Sequence, residues 1–408
     1  MSQRLGFSTA QVDYTAAFVQ ATIEEDVYVQ MPRGFRKEKT ILKLRRSLYG
    51  LKQSPRNFFN HLKQNLQSKE LNFIQSDYDP CLFFGVHCIV ITYVDDCLFF
   101  ARDISEIDKV ISQLRKQGMT LNKEEDVAGF LGINISKLPS GDIEMSQTGL
   151  IDRIISALGL EDANPKHTPA SITPLSKDVD GEQAEGIFNY ASVVGMLLYL
   201  QGNTRPDISF AVNQCARFSA KPRKKHEIAL KHIGRYLKAS RTQGLIMKND
   251  PMTSLKCWCD ADFAGLWKVE DQQETISAKS RTGYIFTLGS SPILWASKLQ
   301  TEIALSIMEA EYIALSAAMR EFIPLQRVLF QIADRLEITC IKASKIKSTI
   351  WEDNNGCLTL GNLEPPRMTP RSKHYGTKYH WFRDKIKELN ITLEKVDSQH
   401  QLADIMTK

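Results

Sequence analysis

CIVITYVDDCLFFA, residues 88–101, is a run of strand-forming residues interrupted by two adjacent carboxylates, Asp95 and Asp96. The β-branched and aromatic residues on either side predict an extended chain. Burying one unpaired carboxylate is costly, and two neighbours repel each other. The pair therefore belongs either in a solvated hairpin turn or around a cation. A hard divalent cation such as Mg²⁺ takes carboxylate oxygens and keeps positions for substrate phosphates. A third carboxylate in similar surroundings favours the cation: Asp13 ends the strand-like QVD, with Ala16, Ala17 and Phe18 behind it.

Outward from that hairpin, the first 160 residues alternate short β-rich runs with amphipathic stretches. QVDYTAAF (11–18) and AGFLGINIS (128–136) read as strands, residues 55–70 and 105–117 as helices by their spacing of three to four. LPSGD (138–142) reads as a hairpin turn between GINISK and IEMSQ. From 161 to 187 periodicity gives way to Pro, Asp, Gly and Ser, which marks the expected domain boundary. A helical block follows, ending in the basic KKHEIALKHIGRYLKA (224–239). A third unit opens near Leu255 with the strands LKCWCDAD, TGYIFTLG and ILWAS. It continues in a long helix over about 302–336, the strand STIWEDN, a helix over 376–389 and the strand ITLEKVD.

At 408 residues and roughly 150 per domain the chain should hold two to three domains. With 43% hydrophobic residues it is neither a disordered tail nor a disulfide scaffold. The amino terminus has no secretory pattern and no uncharged apolar run approaches bilayer length, so an intracellular protein is expected, not a secreted or membrane one. The eight cysteines lack metal-knuckle spacing and read as reduced and mostly buried. The net charge of +5 conceals segregation. Residues 33–56 carry nine Lys/Arg against one Glu, and residues 217–248 carry ten against one. Such stripes are either an electrostatic footprint for a polyanion or solvated helix faces.

The third unit carries isolated acids of its own. Asp260 ends a strand, Asp353 follows one, Glu311 lies in the long helix and Asp404 in the closing QLADIMTK. Ala304, Met308, Glu311, Leu315, Ala318 and Phe322 fall on one helical stripe in which Glu311 is the only charge. Glu309 shares a more polar face with Glu302, Ser306, Ser316 and Arg320, a solvated pattern. A carboxylate inside an apolar stripe is a candidate ligand.

The motifs DYTAAF (13–18), VYVQMPRGF (27–35), SLYGLKQSP (47–55), YVDD (93–96) and FLG (130–132) resemble, in order, the reverse transcriptase of copia-type LTR retrotransposon polyproteins. The resemblance runs through Arg205-Pro-Asp207 to the last residue. It implies an α+β chain. A polymerase palm-type and thumb-like region would span 1–160, a linker and helical connection 161–250, and a ribonuclease H-like α/β domain 251–408. By position it assigns the polymerase metals, Mg²⁺ or Mn²⁺, to Asp13, Asp95 and Asp96. Phe18 matches the aromatic that excludes a nucleotide 2′-hydroxyl, although a core aromatic is the alternative. Gly50, Gln53, Ser54 and Pro55 match the loop flanking the incoming base. Lys123 matches a lysine near the triphosphate, with a surface lysine as the alternative, and Phe130–Gly132 the primer-contacting hairpin.

The same resemblance makes Asp260, Glu311, Asp353 and Asp404 the four metal-binding acids of a ribonuclease H domain, with Asp262 an alternative to Asp260. Arg371, Lys373 and His374 would lie near the hybrid backbone, and His400 is either a proton shuttle or an exposed loop histidine. The implied partners are an RNA template, a DNA primer, RNA–DNA hybrid and deoxynucleoside triphosphates, in a cytoplasmic particle or the nucleus. Only 12 residues precede Asp13, so the basic fingers region is expected to be largely missing. The chain is therefore expected to be a fragment of such a polymerase, and a noncatalytic remnant of a decayed element that still binds nucleic acid is the rival expectation.

Overall fold

The computed structural model describes residues 5–35, 40–124, 127, 129–171, 173–178, 180–250, 254–267, 276–336, 346–367 and 376–408. The chain is a mixed α/β structure that divides into two compact units, Met1–Leu131 and Gly132–Lys408.

The first unit is built on a six-stranded antiparallel sheet in the order 74–75, 82–84, 88–93, 96–101, 8–14, 121–124. Period-two alternation gives it two unlike faces. Ala10, Val12, Tyr14, Val90, Cys97 and Phe99 point to one side and are fully buried, in one core with Phe58 and Leu62 of helix Ser54–Leu66 and Ile107 and Leu114 of helix Ile104–Lys116. Asp13, Asp96 and Tyr93 share the other face, on which Tyr93 and Ile91 are exposed. The first strand is shorter than QVDYTAAF. It ends at Tyr14, and Ala16 (φ 51°) turns the chain into the helix Ala17–Gln20, since a strand does not pass through a left-handed residue. Leu131 (φ 52°) and Gly132 (φ 70°) likewise divide AGFLGINIS into two strands, Gly129–Phe130 and Ile133–Lys137.

The second unit begins with the expected hairpin. Strands Ile133–Lys137 and Ile143–Ser146 pair antiparallel, with the Leu138 amide donating to the Asp142 carbonyl at 2.9 Å. Helices Thr148–Ala157, Tyr190–Asn203, Ser209–Ala216 and Lys224–Ala239 then bury Ile154, Leu197, Leu200, Val212, Leu230 and Leu237 in a single core. Packing thus divides the chain differently from composition. The helix Thr148–Ala157 shares its core with the later helices, so no boundary falls at 160, and the strand Leu245–Met247 joins the sheet of the early hairpin.

The Pro- and Asp-rich stretch is fastened down. Lys238 donates to the carbonyls of Glu161 and Ala163, Arg235 to Asn164 at 2.5 Å, and a His232 ring nitrogen bonds the Thr168 carbonyl at 2.9 Å. Lys225 pairs with Asp178 and Lys224 with Glu182, while the Glu227 carboxylate accepts from the amides of Glu185 and Gly186. A segment without periodicity satisfies its backbone groups on a neighbouring helix, and the second basic stripe is largely occupied in holding it.

The rest of the unit is a five-stranded sheet in the order Ser291–Leu299, Arg281–Leu288, Ser254–Asp262, Lys347–Glu352, Ile391–Lys395. The first three strands are antiparallel, and the last two run parallel to Ser254–Asp262 and each other. The helix Ile307–Arg335 packs across the central strands. It starts five residues later than expected because Ser306 caps it, accepting from the Glu309 amide at 3.2 Å. The expected helix 376–389 is two short ones, Gly376–Tyr379 and Arg383–Glu388. The described cysteines are free, and all but Cys81 are buried. Among the described residues no helix is long and apolar enough to cross a membrane.

Candidate functional site

Two groups of carboxylates emerge from this fold. In the first unit, strands Cys88–Tyr93 and Asp96–Ala101 are joined by a two-residue turn, Val94-Asp95, with Tyr93 opposite Asp96. Val94 has φ 57°, a conformation that costs a β-branched residue on the order of 1–3 kcal/mol. Asp13 pairs directly with Asp96 on the adjoining strand, and the Tyr14 amide donates to the Asp95 carbonyl at 3.3 Å. All three acids thus stand at one end of the central strands. Each is half-buried, so the turn and the cluster are one feature. Burial, and then the negative charges of Asp95, Asp13 and Glu124, raise the Asp96 carboxyl above its usual range.

The accessory residues of this group divide. Phe18 is half-buried against the core, its ring 4.5 Å from that of Tyr49. Gln53 immediately precedes the helix Ser54–Leu66, whose Ser54 hydroxyl donates to the Leu48 carbonyl at 2.6 Å, and Pro55 lies in its first turn. Gly50 takes φ 91°, a left-handed value. With Glu24, Glu25 and Asn57, Gln53 lines a polar cavity of about 180 Å³. Lys123 is not brought to the acids. It pairs with Val12, on the helix-covered face of the sheet, and its ammonium lies 2.7 Å from Asp108 of the helix beneath. Alternation along the strand puts it on the face opposite Asp13.

In the second unit Asp260, Glu311 and Asp353 come together from the ends of two parallel strands and from the helix above them. One carboxylate oxygen from each lies within 4.8 Å of the others. Asp260 is 3% exposed and Glu311 4%; Asp353 is half-buried, its Oδ2 accepting from the Ser398 hydroxyl at 2.7 Å. Burial pushes Glu311 up to about 10, helped by the charges of Glu352, Asp260 and Asp353. Burial also raises Asp260, against a lowering hydrogen bond from the Thr407 hydroxyl. Glu311 Oε2 is buried and accepts no hydrogen bond among the described residues. A group of three carboxylates with one orphaned oxygen suits a hard divalent cation, which takes oxygen ligands and offsets their repulsion.

The remaining expected residues lie outside this group. Asp404 opens the short helix Asp404–Thr407 and is tied to Lys408 at 2.9 Å; its charge still reaches Asp260. Asp262 is two residues along the strand, opposite Arg281, and is not a member. His400 is exposed in the turn Ser398–His400. Arg371, Lys373 and His374 lie outside the described residues.

Glu309 is a correction. Instead of facing solvent it is 7% exposed, and its Oε2 accepts from the Leu305 amide at 3.1 Å. It thus ties the residue before the Ser306 cap to the first turn of the helix. Sequence reasoning also missed Glu352, which is fully buried, accepts from the Asn354 amide at 3.0 Å and lies 3.2 Å from the Cys259 thiol. The available signal was alternation, since Ser348, Ile350 and Glu352 share one buried strand face.

Known proteins resemble this chain along its length. The family described as reverse transcriptase (RNA-dependent DNA polymerase) matches residues 1–172. The Retrovirus-related Pol polyprotein from transposon TNT 1-94 of Nicotiana tabacum is 31% identical, over 100% of this chain and 30% of its own length. That from transposon RE1 of Arabidopsis thaliana is 32% identical, over 98% of this chain and 26% of its own. The chain therefore spans less than a third of the length of either of these two relatives. Among solved structures, that of LC11-RNase H1, isolated from compost by a metagenomic approach, covers 38% of this chain and 93% of its own at 14% identity. Its TM-score of 0.26 lends no support to the fold. On the ordered motifs and on matches running the length of the sequence, the chain is similar throughout to the copia-type retrotransposon Pol polyproteins.

Proposed function

We propose that the second unit cleaves the RNA strand of an RNA–DNA hybrid and that the first copies RNA into DNA, each with divalent metal ions held by its acids. The observation that carries the nuclease reading is the convergence of Asp260, Glu311 and Asp353 with Glu311 Oε2 left without a partner. Bound at such acids, Mg²⁺ or Mn²⁺ supplies a Lewis acid and a water of lowered pKa. The protein's part is to hold the carboxylates in place before substrate arrives. Asp260 is fixed on a strand in the sheet centre, Glu311 on a packed helix and Asp353 at a strand end, with Asp404 at the margin of the group. Asp353, half-buried, is the member open to a phosphate backbone.

For the polymerase reading, Asp13, Asp95 and Asp96 would hold the ions for a primer 3′-hydroxyl and a deoxynucleoside triphosphate. Phe18 would sit under the nucleotide sugar, and Gln53 would contribute to the nucleotide-side wall. The test is cleavage of labelled hybrid RNA with Mg²⁺ or Mn²⁺. Several kcal/mol of transition-state stabilisation are at stake, so Glu311→Gln should lower the rate by roughly 100-fold or more while hybrid binding persists. Wild-type protein that binds hybrid but leaves it intact with either metal would favour the noncatalytic rival. Primer extension abolished by Asp95→Asn would test the first unit in the same way.

A further inference from the structure

We propose that Thr407 is a positioning residue that fixes the carboxylate of Asp260 for metal binding, an inference that rests on the nuclease reading above. Its hydroxyl donates to Asp260 Oδ2, and both residues are buried, Thr407 at 1% exposure and Asp260 at 3%. No other side chain among the described residues hydrogen-bonds that carboxylate. A buried Asp with one oxygen held by a donor has a defined rotation, and that rotation decides which oxygen faces Glu311 and Asp353.

The surroundings show how Thr407 is brought there. Gly283 lies directly opposite Asp260 on the neighbouring strand. A Cβ at Gly283 would meet Met406 Cβ and Thr407 Cγ2, each at 2.7 Å, and the Ala403 carbonyl at 3.1 Å. The short helix Asp404–Thr407 therefore settles on the sheet only because residue 283 has no side chain. The Gln401 amide anchors the approach, donating to the Cys259 carbonyl at 2.8 Å. Buried Gln401, Ala403, Met406 and Thr407 thus form a small plug beside the acid group, with the Thr407 hydroxyl as its polar contact with Asp260.

Thr407→Val removes the donor and keeps the shape, whereas Thr407→Ser keeps the donor. The full chain is titrated with Mn²⁺, followed by the loss of free-ion paramagnetic resonance signal, and hybrid cleavage is measured in parallel. Thr407→Val should weaken Mn²⁺ binding and lower kcat by roughly 10- to 100-fold, the range for losing a partner that orients a metal ligand. The KM for hybrid should stay near wild type, and Thr407→Ser should restore both quantities. Gly283→Ala, which displaces the plug, should reproduce the Val phenotype. If Thr407→Val binds Mn²⁺ and turns over like wild type, the positioning role is wrong while the acid group stands. If Thr407→Ser is as impaired as Val, the residue acts by packing and the proposal fails. Wild-type protein that binds no Mn²⁺ at all would overturn the metal reading itself.

Discussion

Asp13, Asp95 and Asp96 stand half-buried around a hairpin turn on the open face of a sheet, whereas Asp260 and Glu311 are 3% and 4% exposed between a sheet and a helix. Water can solvate the first group's charges, so its repulsion is partly screened before any ion arrives. Water screens Asp260 and Glu311 far less. Asp260 and Glu311 are raised by burial, and Glu311 keeps an unpaired oxygen. The same chemical unit, three acids and a cation, can thus be held by strain in a turn or by packing in a core. The packed version, with the larger shift, ties the stability of its unit more strongly to proton and metal occupancy.

The largest consequence is in metal-free stability. Glu311 is raised to about 10 from an ordinary 4.5, so the folded state binds a proton more tightly than the unfolded state. The Glu311 contribution to stability is then full below pH 4.5 and is lost as pH rises towards about 10. In chelator, thermal unfolding of wild type should move to lower temperature between pH 5 and 9, with each kcal/mol lost worth about 2–4 °C. Glu311→Gln should flatten that dependence and Asp13→Asn should not. Equal flattening by both substitutions would erase the contrast between the groups.

A smaller effect is expected at the start of the helix that carries Glu311. Because Glu309 satisfies the Leu305 amide, Glu309→Ala should cost about 1 kcal/mol in urea unfolding. Glu309→Gln, which keeps an acceptor, should cost a few tenths of that. An Ala variant as stable as wild type would mean that the cap is not what seats this helix.

The smallest effect belongs to the exposed turn. Val94 is 41% exposed and left-handed, so Val94→Asn should relieve strain with little packing loss. A gain of about 1 kcal/mol or less is expected, read from the urea midpoint. Destabilisation by Asn would show that the Val94 side chain is needed where it lies and sharpen the view of this turn as a strained holder.

The sequence made some of this legible and hid the rest for identifiable reasons. The YVDD hairpin could be read because strand alternation and turn geometry are local, and Glu311 because one helical stripe held a single charge. Glu309 misled because its face was taken as solvated. The helix is in fact buried on more than one side through Ser316, which is 1% exposed, and cap chemistry depends on where the helix starts. For Lys123 the resemblance and the surface alternative could not be separated in sequence, because its strand neighbours do not reveal which face the helices cover. The 161–187 stretch looked like a linker because its bonds run from carbonyls to cations more than forty residues away, as from Ala163 to Lys238, and no periodicity encodes that.

That strap alters what the second basic stripe can offer a polyanion. Of its ten cations, Lys224, Lys225, Arg235, Lys238, Arg241 and Lys248 are engaged with carboxylates or carbonyls of their own unit. Arg217 and Arg223 reach the strap carbonyls of Leu175 and Gly181, and Lys231 lies over the ring of Phe188. Each phosphate contact releases condensed counterions and contributes about −0.9 to the slope of log affinity against log salt. A cation already neutralised inside the protein releases few of them. Counting charges along 217–248 therefore overstates the electrolyte dependence this stretch brings to nucleic-acid binding, and a slope much shallower than the count implies is the signature of a stripe spent on its own chain.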